Sequence, residues 1–213
     1  MLRVAHAEGV RAIVATPHHY PDTGVPPQAQ AARLIGRIRA AANLPVELRA
    51  GHEVAADPSV TARLKEDRVL PLEGTRYVLI EPPFDGFPAW VDGLFADLQR
   101  LGYRPIIAHP ERCAGIQRDP AILARLVGQG IVSQMNAGSL LGDYGPEARR
   151  TVGLLLERGL FHVMASDAHA AQGPRASVLG PAVEALAHLA GRAQAEAMVT
   201  TVPRAILDGR DIA

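Results

Sequence analysis

Two hydrophobic patterns alternate along the chain. Short apolar runs at 12–15, 46–50, 77–80, 105–108, 131–135 and 161–165 each lead into a polar or Gly/Pro-rich turn. Runs of this length suit strands buried on both faces. Between them lie segments with helical spacing at 27–42, 59–66, 89–101, 120–128 and 146–158. Several open with proline near the first turn and are followed by glycine. Residues 1–9 read as the tail of an amphipathic helix stopped by Gly9, and 175–189 and 192–199 as closing helices. Strands alternating with helices predict a parallel α/β arrangement, either a barrel or a doubly wound sheet. No fixed-period repeat, low-complexity tract or linker interrupts residues 1–213, so one domain is expected.

Composition narrows the class. The chain is 48% hydrophobic and 21% charged, which argues against disorder. No apolar run approaches the ~20 residues of a spanning helix, and residues 1–6 lack the apolar core of a signal peptide. Twenty-two basic and 22 acidic residues cancel, leaving no basic stripe for nucleic acid and no polybasic membrane patch. Cys113 is the only cysteine, so no intrachain disulfide or thiolate cluster can form. A cytoplasmic location is the expectation.

The chemistry lies where the strands end. The first run leads into Thr16-Pro17-His18-His19, the second into Gly51-His52-Glu53, and the third ends in Glu81. The fourth ends in His109-Pro110-Glu111-Arg112 and the sixth in Ser166-Asp167-Ala168-His169, while the fifth offers Asn136. In parallel α/β folds the C-terminal strand edge carries the site. Imidazole and carboxylate without thiolate suit Mn, Fe, Zn or Co, and ligand sets this far apart in sequence suggest a multinuclear centre. Plainer roles compete: one of His18 and His19 capping a helix, Glu81 pairing with an arginine, His109 satisfied in the core. For Arg112, gripping a phosphate or carboxylate and forming a structural ion pair are about equally supported. His6, His162 and His188 read as structural. Cys113 and Arg118 are separated by four residues, one fewer than in the thiolate phosphate-binding loop, and the only lysine, Lys65, rules out a Walker-type loop.

In order along the chain stand Ala15-Thr16-Pro17-His18-His19, Gly51-His52-Glu53, Leu79-Ile80-Glu81, Ile107-Ala108-His109-Pro110-Glu111-Arg112, Asn136-Ala137-Gly138-Ser139-Leu140-Leu141-Gly142 and Ala165-Ser166-Asp167-Ala168-His169. Together they resemble the PHP (polymerase and histidinol phosphatase) superfamily and, more closely, its CpsB/CapC/YwqE-type bacterial protein-tyrosine phosphatases. The resemblance implies a distorted (β/α)7 barrel with a trinuclear metal centre, with Mn the expected metal. It further implies that Glu53 bridges the first two metals, that Glu81 and His109 bind the second, His18 and His169 the third, and Asp167 the first. Arg112 corresponds to the residue gripping the phosphate. The family's opening strand, with His-x-His and a following metal-binding Asp, has no counterpart in these residues, so a barrel without its first strand is expected.

The implied activity is hydrolysis of phosphotyrosine on the tail of a bacterial tyrosine kinase governing capsule or exopolysaccharide synthesis, with homo-oligomers left open. Two other readings stand beside it. One is a histidinol-phosphatase-like enzyme acting on a small metabolite. The other is a metal-poor, catalytically impaired chain that only binds. An amidohydrolase-like barrel is disfavoured, because no lysine lies near the strand ends.

Overall fold

A computed structural model describes residues 1–20, 28–173 and 175–212, apart from the side chains of residues 28–30 and 32. The first half runs α1 (Leu2–Ala7), β1 (Ala12–Ala15), β2 (His18–His19), α2 (Gln28–Ala42), β3 (Glu47–Ala50), β4 (Glu53–Ala55), α3 (Val60–Lys65), β5 (Tyr77–Glu81) and α4 (Ala89–Arg100). Then follow β6 (Arg104–Ala108), a 3-10 turn (Pro110–Arg112), α5 (Ala114–Arg118), α6 (Ala121–Gly128), β7 (Val132–Asn136), α7 (Ala137–Leu141), α8 (Gly145–Glu157), β8 (Val163–Ala165), α9 (Gly180–Ala190), α10 (Arg192–Val199) and α11 (Thr201–Leu207). The expected start of α2 at Pro27 lies outside the described residues.

All six expected strands form, and every strand pairing is parallel. One sheet has the order β2-β4-β5-β6-β7-β8, and β1 pairs with β3 beside it. Two of the runs are each followed, past a break, by a further short strand, β2 after β1 and β4 after β3, which the hydrophobic pattern does not reveal. Pro17 has no N–H to donate between β1 and β2. At Gly51-His52 the segment from Leu70 to Glu73 wedges in, with His52 N–H donating to Leu70 O and Glu73 N–H to Ala50 O. A Cβ on Gly51 would lie 2.9 Å from Leu72 Cδ2, so glycine permits this close approach.

Strand periodicity sorts side chains onto two faces. Val78, Ile80, Ile107, Met135 and Met164 join Phe95 and Leu98 of α4, Leu126 of α6 and Leu155 of α8 in the larger core. Tyr77, Leu79, Ile106, Ala108, Val132 and Val163 fill the other face, closed at one end by Ile206 of α11. This second face carries the site. Glu81 continues its Tyr77–Leu79 series, and Asn136 its Val132 series. The register His18↔Glu53↔Leu79 puts His18 and Glu53 on the same side, while His19↔Val54 points the other way.

The closing helix departs from expectation. It starts at Gly180 rather than at 175, with Pro181 in its first turn, where the fixed φ and missing N–H of proline are tolerated. Arg175 is instead a loop residue whose carbonyl accepts from His169 N and Ala170 N. Among the described residues, no helix is long and apolar enough to cross a membrane.

Candidate metal centre

The strand ends converge into two linked clusters. In the first, His18 Nδ1 lies 3.3 Å from Glu53 Oε2 and 4.0 Å from Glu81 Oε2. His109 Nε2 lies 2.9 Å from Glu53 Oε1 and 3.5 Å from Glu81 Oε1. Single donor atoms of His18, Glu53 and Glu81 all fall within 4.8 Å of one another, close enough to share one cation. In the second cluster, Asp167 Oδ2 takes Asn136 Nδ2 at 2.8 Å, Arg112 at 3.3 Å and Arg175 at 3.4 Å. His169 Nδ1 is 2.9 Å from Asp167 O. Its Nε2 faces His18 Nε2 at 3.3 Å and joins the clusters. All seven residues singled out from the sequence (His18, Glu53, Glu81, His109, Arg112, Asp167 and His169) stand in this one constellation.

The site is electrostatically loaded. Glu53 and Glu81 are 4% and 6% exposed, so two carboxylates sit side by side out of water. Burial and the charge of Glu53 push the Glu81 carboxyl above its usual range. Burial also acts to raise Glu53, but the hydrogen bond from His109 and the charges of His109, His18 and Arg112 outweigh it, and the net shift is downward. Burial acts to lower His109, yet the Glu53 bond and charge reverse this, and its pKa is raised. Buried like charges call for a compensating cation. His18 Nδ1 and His109 Nδ1 are buried without a hydrogen-bond partner. This donor set fits hard or borderline divalent metals. His18, Glu53, Glu81 and His109 could hold one side of a centre, and Asp167 and His169 the other.

Backbone strain marks both clusters. His109 and Asp167 adopt φ of 28° and 47°, which side-chain-bearing residues seldom occupy. Each lies just beyond the end of its strand, His109 after β6 and Asp167 after β8.

Two of the turn histidines lie outside the constellation. His19 is held by Arg68 O at 2.9 Å and Arg63 at 2.8 Å, and His52 Nδ1 accepts from Leu70 N–H. Their rings pack against each other at 4.9 Å. His162 Nδ1 accepts from Ser133 N–H, a structural role, and buried Cys113 contacts Gly86 O. Glu81, for its part, meets histidines rather than an arginine.

Sequence reasoning missed several neighbours. Arg175 was hidden inside an expected helix; its position six residues after His169 was the available signal. The Arg112 guanidinium lies 4.9 Å over the Phe84 ring and 4.2 Å over Tyr144, so two rings pack against it while its Nη1 donates to Asp167 Oδ2. Phe84 in turn stacks on His109 at 5.7 Å. Nothing in the spacing of Phe84 and Tyr144 announces this packing.

Comparison with known proteins fits this geometry. A family model described as capsular polysaccharide synthesis, CpsB/CapC, matches residues 1–208. The chain belongs to the CpsB/CapC family. It is 40% identical over 174 residues to the tyrosine-protein phosphatase YwqE of Bacillus subtilis, covering 79% of this chain and 68% of that protein. With the putative tyrosine-protein phosphatase CapC of Staphylococcus aureus it shares 34% identity over 179 residues, again covering 79% and 68%. A solved structure reported among those of YwqE from B. subtilis and CpsB from Streptococcus pneumoniae, described as unique metal-dependent tyrosine phosphatases, superposes with a TM-score of 0.88. That match covers 100% of this chain and 87% of the other at 34% identity.

Proposed function

We propose that this CpsB/CapC family member is a metal-dependent phosphomonoester hydrolase acting on protein phosphotyrosine. The observation that carries the reading is the juxtaposition of the His18–Glu53–Glu81 donor set with the Arg112–Asp167–Arg175 cluster across one 3.3 Å contact. A cation-competent pocket beside two arginines suits a phosphoryl group.

On this reading His18, Glu53, Glu81, His109, Asp167 and His169 hold the metals, and the metal is Mn. Bound divalent cations of this kind polarise phosphoryl oxygens and lower the pKa of water towards neutrality. Arg112, packed against Phe84 and Tyr144, offers the N–H groups not held by Asp167 to the phosphoryl oxygens, and Arg175 reaches the same cluster from the loop after β8. Both arginines stabilise charge that grows on the phosphoryl group as the ester bond breaks. A phenol, with a pKa near ~10, leaves more readily than an alkanol, which favours phosphotyrosine over phosphoserine.

The same reading makes residues 1–213 a single domain with the distorted PHP-type barrel topology, six of whose strand positions are taken by β1 with β2, β3 with β4, and β5, β6, β7 and β8. The contact between His18 in β2 and His169 beyond β8, the outer strands of the sheet, supports that curvature. The substrate we infer is the phosphotyrosine-bearing tail of a capsule-related kinase, met in the cytoplasm.

Hydrolysis of p-nitrophenyl phosphate and of a phosphotyrosyl peptide, assayed with added manganese and with EDTA, tests the proposal. Manganese-dependent turnover of both is expected. Turnover of histidinol phosphate alone would favour a small metabolite. No turnover of any of these would reject the hydrolase reading.

A further inference from the structure

The Asn136-Ala137-Gly138-Ser139-Leu140-Leu141-Gly142 stretch remains unexplained by this mechanism. Asn136 ends β7 and is 1% exposed. Its side-chain oxygen accepts from Gly138 N–H at 2.8 Å, capping α7, and its Nδ2 donates to Asp167 Oδ2 at 2.8 Å. Both ends dictate the amide orientation. A backbone N–H can only donate and a carboxylate only accepts, so the oxygen must face Gly138 and the nitrogen Asp167. The Asn136 N–H is tied as well, donating to Glu111 Oε1 at 3.1 Å, on a carboxyl that is wholly buried. Gly138 makes the cap fit, since a Cβ there would lie 2.9 Å from Tyr144 Cε2 and 3.3 Å from Asn136 Oδ1. Gly142 closes α7 in the left-handed conformation at φ 97°.

We infer that Asn136 is the positioning residue of Asp167, holding Oδ2 in hydrogen bonds so that Oδ1 is the oxygen presented to a metal. The Arg112 and Arg175 contacts end on the same Oδ2, which leaves Oδ1 with His169 Nδ1 at 3.5 Å as its nearby group. Orientation of a ligating carboxylate by such an outer partner is worth roughly 10–100-fold in metal affinity or activity. The inference rests on the proposed metal-ligand role of Asp167.

Asn136→Ser tests it, because a serine hydroxyl can still cap α7 but sits one atom closer to the backbone, too short to take the place of Nδ2 at Asp167 while it accepts from Gly138 N–H. Asn136→Thr has the same property and replaces it should the serine variant fail to fold. Manganese titration of wild type and variant, read by the EPR signal of free Mn(II), gives the affinities. Circular dichroism melting without metal reports the fold. The expected result is manganese affinity weakened about 10–100-fold in a variant whose metal-free melting stays close to wild type. A wild-type chain that binds manganese and a folded variant that binds it equally well would overturn the Asn136 assignment alone. A wild-type chain that binds no manganese would remove the metal-site reading, and the assignment with it.

Discussion

His18 Nε2 and His169 Nε2 face each other at 3.3 Å although 151 residues separate them, one following the first β-segment and the other the last. Two imidazole nitrogens at that distance need one proton between them or a shared cation. Replacing either with alanine should lower manganese affinity by more than the roughly 10–100-fold that losing an outer-shell partner costs. The double variant should lose less than the sum, because contacting groups couple. Isothermal titration of the four proteins measures this.

Arg112→Lys keeps the charge but loses the planar fork that packs against Phe84 and Tyr144. Hydrolysis of p-nitrophenyl phosphate should fall on the order of 10²-fold, the cost of one donor to a developing oxyanion. Gly138→Ala should act on the same group indirectly. Its Cβ, 2.9 Å from Tyr144 Cε2, displaces the ring that lies 4.2 Å from the guanidinium. A raised KM with a smaller change in kcat is the expected kinetic signature.

Glu81 is strained by its own site, its carboxyl buried beside Glu53 and pushed upward. Glu81→Gln should therefore raise the melting temperature of the metal-free chain while abolishing stabilisation by manganese. In wild type, metal at 100 times its Kd should add about 2.7 kcal/mol, reversed by EDTA. Thermal melts with and without metal check both directions.

Acid should destabilise the chain through His52. Burial first, and the nearby His19 second, lower its pKa from 6.5 to about 4. The folded chain therefore favours neutral His52. Its contribution is fully present above pH 6.5 and is lost as pH falls towards about 4, a total of roughly 3 kcal/mol. His52→Asn retains an acceptor for Leu70 N–H and should flatten the fall in stability between pH 6.5 and 4. Urea unfolding across that range reads the slope.

Much of this was legible in the residues. Glu81 sits at the end of Tyr77-Val78-Leu79-Ile80, so any parallel arrangement brings it to the functional edge. His109 and Asp167 follow by the same reasoning. Arg175 was hidden, because the helical spacing of Arg175 to Leu189 runs on across Gly180-Pro181, the pair at which the helix starts. Nor was the division of His18 from His19 legible. Adjacent residues on a strand face opposite ways, and only the register with Glu53 and Val54 decides which one looks inward.

By itself the sequence determined the strand-and-helix alternation, the residue types at the strand ends and the family they match, since these depend on local periodicity and composition. Tertiary structure alone decided that the sheet curls until His18 meets His169, that Arg112 packs against both Phe84 and Tyr144, and that Asn136 holds one oxygen of Asp167. Those relations join residues that are distant in sequence. No local pattern encodes them, because each depends on sheet curvature and strand register acting together.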